Sequence, residues 1–87
     1  MARVVVRDRF TGKRYEIEVY PENTAEDLIN TLADSGIIQS SPGQGWEWRL
    51  VDSRGYQLPP NARVVDWLSR TGEQTELMLT AYWTGGA

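Results

Sequence analysis

The sequence predicts an α+β domain in which one mixed sheet of four to five strands wraps one α-helix. Three observations point there: an alternating hairpin pattern over 3–20, one helical stretch with both a start and a stop signal over 24–35, and strand patterns that resume at 46–52 and 75–83. At 87 residues the chain has room for one core only. Apolar residues at 40% and charged residues at 24% place it with globular rather than disordered chains.

"RVVVRDR" (3–9) is β-branched and "RYEIEVY" (14–20) alternates, with Tyr15, Ile17 and Val19 on one face and Glu16 and Glu18 on the other. Gly12 in the intervening "FTGK" suits the positive φ of a tight turn. Strict register would turn Val5 and Arg7 inward together; a bulge or one-residue shift that buries Val4 and Val6 avoids an unpaired inward arginine. Pro21 ends the second strand, and Thr24 with Asp27 three residues on marks a helix start. Leu28, Ile29 and Leu32 follow at helical spacing, Gly36 closes the helix, and Ile37 and Ile38 fold back on it.

"QSSPGQG" (39–45) is a loop, and "WEWRLVD" (46–52) alternates as a third strand. "SRG" (53–55) is a turn, "YQL" (56–58) a short strand, "PPNAR" (59–63) a stiff loop, and "VVDWLSR" (64–70) one turn of helix or 3₁₀ closed by Gly72. "TELMLTAYW" (75–83) is the last strand. An opening hairpin, one crossing helix and strands that return beside the hairpin describe the β-grasp architecture. Trp48 and Trp67 are expected in the core, Trp46 and Trp83 on contact surfaces.

The charge is −3, and the basic residues are scattered among acids, which argues against a nucleic-acid partner; the run from Arg3 to Arg14 reads as a solvated strand edge. Without cysteine or histidine there is no disulfide, thiol nucleophile, imidazole base or soft metal ligand, so no cofactor is expected. Neither a signal-peptide core nor a run of ~18 apolar residues is present, so the expectation is a cytoplasmic monomer without a membrane partner. Glu16 and Glu18 lie two apart on a strand and face solvent, so catalysis is not expected of this chain.

"FTGKRYEIEVYPENT" (10–24) resembles the hairpin, second strand and helix start of the ubiquitin family. "WRLVD" (48–52) is similar to the family's third strand, "QL" (57–58) to its short fourth, "VVDWL" (64–68) to the turn with an aspartate and an aromatic, and "TELMLTAYWTGG" (75–86) to the last strand and diglycine tail. The resemblance implies a ubiquitin-like domain over 1–81, a flexible tail over 82–87 and the role of a bacterial protein modifier. Its implied partners are activating and conjugating enzymes, a JAB-type peptidase and a target protein.

Conjugation requires a carboxylate that threads narrow enzyme sites, is activated as an adenylate and then a thioester, and is attacked by an amine. Glycine is slim and free enough for that path. The resemblance therefore assigns Gly86 the reacting carboxylate, Gly85 the slim approach, and Ala87 the residue removed on processing. It also implies an apolar reader surface at Phe10, Val51 and Thr80, although Thr80 is not apolar. Tyr82 and Thr84 stand where the family carries arginines, with Trp83 between them, implying a dedicated enzyme with an apolar groove anchored by Trp83; the other reading is that Tyr82 and Trp83 pack back on the sheet. Lys13, the single lysine, is the possible acceptor amine for chains. Two other functions fit the same pattern: a non-covalent ubiquitin-like subunit of a bacterial secretion or monooxygenase assembly, and a sulfur carrier whose terminal glycine becomes a thiocarboxylate.

Overall fold

The computed structural model describes residues 2–70 and 76–85. Strands β1 (Ala2–Asp8), β2 (Arg14–Val19), β3 (Trp46–Val51) and β4 (Glu76–Trp83) form one mixed sheet of order β2-β1-β4-β3, with helices α1 (Ala25–Asp34) and α2 (Val64–Arg70). β1 pairs antiparallel with β2 and parallel with β4, and β4 pairs antiparallel with β3.

The hairpin adopts the shifted register. Val4 lies opposite Ile17 and Val6 opposite Tyr15; Val4, Val6 and Val19 are buried while Arg7 stays on the outer face. Arg7 and Arg14 both pair with Glu76, and Arg3 with Glu16, so three of the five basic residues in the 3–14 run are matched to acids. The inward rows of the four strands meet Ala25, Leu28 and Leu32 of α1 and Val64 and Leu68 of α2 in one core, joined by Leu50, Leu58, Leu77 and Leu79.

α1 begins and ends as its sequence dictates. Thr24 Oγ1 accepts the Asp27 N–H at 3.2 Å, and Asp27 Oδ2 accepts the Thr24 N–H at 2.9 Å, a reciprocal cap. The next two free N–H groups, of Ala25 and Glu26, donate to the carbonyls of Ala62 and Pro60, so the proline-stiffened loop also caps the helix. At the far end Gly36, at φ +78°, lets its N–H reach the Ala33 carbonyl and the Ile37 N–H the Leu32 carbonyl. Only Ile38 folds into the core; Ile37 is half exposed.

Two further expectations change. Segment 64–70 is a full α-helix rather than a single turn, since Val64 and Leu68 bury one face at i,i+4 spacing, giving the domain two helices. Segment 56–58 makes one isolated bridge, Gln57 to Val51, so the sheet has four strands among the described residues. β4 ends at Trp83, as the strand pattern over 75–83 predicts, with Tyr82 paired to Glu47 and Trp83 to Trp46. The stop signal expected at Gly72 lies outside the described residues.

Candidate functional site

Two features stand out on this frame: the end of β4, and an aromatic hollow beside it.

The inward row of the β3–β4 pair runs Leu50–Leu79, Trp48–Ala81, Trp46–Trp83. The first pair is buried, but the third is left open, with Trp46 at 43% and Trp83 at 54% exposure. Trp46 and Trp83 meet edge to face, ring centres 5.2 Å apart. Trp83 also lies over Gly45: a Cβ built there would stand 2.6 Å and 2.8 Å from two atoms of the indole, and Gly45 sits at φ +82°. Position 45 therefore admits glycine alone without rearrangement. One residue on, Thr84 donates both its N–H and its Oγ1 hydroxyl to the Gly45 carbonyl, at 2.8 Å and 3.0 Å. Gly85 follows at φ +73°.

The turn between β1 and β2 builds the second feature. Asp8, buried at the end of β1, accepts the N–H groups of Phe10 at 2.8 Å and Thr11 at 3.4 Å through Oδ1, while its backbone bonds Lys13 and Gly12. The Arg9 N–H donates to the Leu79 carbonyl at 3.0 Å, docking the turn on β4. Phe10 is thereby held out, 65% exposed, with its ring edge to face with Trp48 at 6.4 Å. Trp48 is fixed in turn by its Nε1–H bond to the Gln39 carbonyl at 2.8 Å. Phe10, Trp46, Trp48 and Pro42 line a hollow of about 470 Å³ floored by Ala81, with Arg9 and Thr80 at its rim. Ala81 leaves this space because it is the one small residue of the inward row.

Of the expected reader surface, Phe10 and Thr80 border this hollow, whereas Val51 borders a separate one with Met78 and Asp52. Thr80 and Val51 belong to the outer row of the sheet, opposite Arg49 and Met78 respectively, and Arg49 is ion-paired with Glu47. Tyr82 is on that outer row, 52% exposed. Trp83 packs back on the sheet against Trp46 and is still half exposed. Trp48 and Trp67 are half-buried against the core. Lys13 is exposed in the hairpin turn. Gly86 and Ala87 lie outside the described residues.

Asp52 is a residue whose role sequence reasoning missed. At the end of β3 and buried, it accepts the N–H groups of Arg54 and Tyr56 on Oδ1 at 2.9 Å and 3.0 Å, and the Arg54 guanidinium and Trp67 indole on Oδ2 at 3.1 Å and 3.0 Å. Burial pushes its carboxyl upward, but the Trp67, Tyr56 and Arg54 hydrogen bonds outweigh it and hold it below the ordinary aspartate value. The group organises the 52–56 turn.

Among the described residues no helix is long and apolar enough to cross a membrane, and no three His, Cys, Asp or Glu residues gather to hold a metal ion. No model of a known protein family matches the chain, and no curated protein matches it significantly.

Proposed function

We propose that the domain is a ubiquitin-like protein modifier. A JAB-type peptidase cleaves after Gly86, removing Ala87; an activating enzyme adenylates the new carboxylate and takes it as a thioester; and a conjugating enzyme passes it to an amine of a target protein in the cytoplasm. The fold is compatible with a β-grasp, with a mixed sheet of order β2-β1-β4-β3 carrying α1. The observation that carries the reading is the position of the diglycine: Thr84 is tied to Gly45, and Gly85 is the very next residue. Phe10 and the exposed Tyr82 and Trp83 would contact the enzymes, and Lys13 is the amine through which a second unit could be added.

The test is formation of a thiol-labile, ATP-dependent adduct between the chain cut after Gly86 and the activating enzyme of its own cell. Gly86→Ala is expected to lose the adduct. Intact-mass analysis after incubation with the cognate peptidase should show loss of one alanine. Equal adduct from the uncut chain would refute the precursor step.

The exposed aromatic hollow favours a second reading, a non-covalent ubiquitin-like assembly subunit. Removal of residues 85–87 separates the two: it abolishes conjugation and leaves a non-covalent assembly intact.

A further inference from the structure

We infer that the hollow between the β1–β2 turn and the start of β3 is a docking site for an extended, proline-rich peptide segment that carries an acidic side chain. The inference does not rest on the diglycine.

The site is built before any ligand arrives. Phe10 is propped by the Asp8 turn and by Trp48, Trp48 by the Gln39 carbonyl, and Trp46 by Trp83. Rings already held by their neighbours lose little freedom when a ligand covers them. Pro42, Trp46 and Trp48 also line a second hollow of about 260 Å³ toward α1, so the aromatic wall borders open space on two sides.

Two unspent groups define what fits. Trp46 is half exposed, and among the described residues its indole N–H has no acceptor. Arg9 is the one charged residue lining the larger hollow, and among the described residues its guanidinium has no ion pair. The occupant must then offer flat apolar surface, a free carbonyl and a carboxylate. A polyproline segment offers the first two together: its rings lie on aromatic faces, its carbonyls are not used internally, and its conformation is already extended. An α-helix has bonded its own interior carbonyls and leaves the Trp46 N–H unanswered. Strand addition at the outer edge of β3, the end of the sheet, would lie beside the hollow rather than in it, because the hollow is walled by side chains of the β3–β4 pair. The carboxylate is set by Arg9.

The experiment titrates the full chain with a synthetic Pro-Pro-Glu repeat peptide, following the indole N–H resonances and tryptophan fluorescence. The Trp46 N–H signal is expected to move and saturate, and a Pro-Pro-Lys repeat to bind roughly tenfold more weakly. Trp46→Phe, which keeps a ring and removes the donor, and Ala81→Leu, which fills the hollow, should each weaken binding by roughly tenfold. Arg9→Gln should erase the preference for the glutamate peptide. Unchanged far-ultraviolet dichroism checks that each variant is folded, and Gly85→Ala with Gly86→Ala should bind as the parent does, which separates this site from the conjugation terminus. Four results would overturn the inference: no shift at Trp46, equal binding of the lysine peptide, tighter binding of an Ala-Leu-Glu helical peptide at the same signals, or self-association of the chain through them.

Discussion

Trp67 donates its indole N–H to Asp52 across 3.0 Å, tying α2 to the turn that follows β3. Asp52 accepts three further bonds, all within its own turn, so among the described residues this is the one bond its carboxylate makes to another element. Because its carboxyl is held below the ordinary aspartate value, its contribution is complete above that value and is lost as pH falls through the lowered one. Asp52→Asn should therefore flatten the part of the acid limb of a urea-midpoint profile that lies below the ordinary aspartate value. Asp52→Ala should cost about 2–4 kcal/mol near neutrality, since it strands buried donors. Trp67→Phe should cost about 1–2 kcal/mol, losing one charge-assisted bond.

At the end of the sheet, Gly45→Ala should cost roughly 1–3 kcal/mol, from strain at positive φ and from collision with Trp83. The collision part must vanish when Trp83 is already alanine. A thermal double-mutant cycle reads that coupling, and additivity would contradict the close approach.

α1 supplies a third expectation. Thr24→Ala removes half of the reciprocal cap with Asp27 and should lower stability by about 1 kcal/mol, whereas Thr24→Ser should hold it within a few tenths. Denaturant midpoints at constant slope are the measurement.

Two apolar residues near one another should behave oppositely. Phe10→Ala, at an exposed turn position, should leave stability within about 0.5 kcal/mol. Leu79→Ala, in the buried row, should cost about 2–5 kcal/mol. A large loss at Phe10 would mean that its ring serves the core rather than the surface.

Most of the frame was legible because its signals are local. The Thr24–Asp27 cap, the Gly36 stop and the alternation of β2 and β3 each concern residues within a few positions of one another. The shift that buries Val4 and Val6 could be argued from the cost of an inward Arg7. The site was less legible, because it depends on register. That Trp48 faces Ala81, and Trp46 faces Trp83, follows only once β3 and β4 are aligned. Asp52 looked like the last polar residue of a strand; its partner Trp67 lies 15 residues away. The hidden demand on Gly45 arises from a ring nearly forty positions on.

The strand order has a consequence for how the protein is made. β4 lies between β1 and β3, and its pairing with β1 joins the first described strand to the last. The β1–β2 hairpin is local, but β3 and the other edge of β1 have β4 as their sheet neighbour, so the four-stranded sheet is complete only after residue 83 has cleared the exit tunnel. Until then one edge of β1 is unpaired beside the apolar run Val4 to Val6, the kind of template on which nascent chains aggregate. Arg3 and Arg7 bracket that run, where like charges on two such edges would repel; in the folded sheet Arg7 pairs with Glu76.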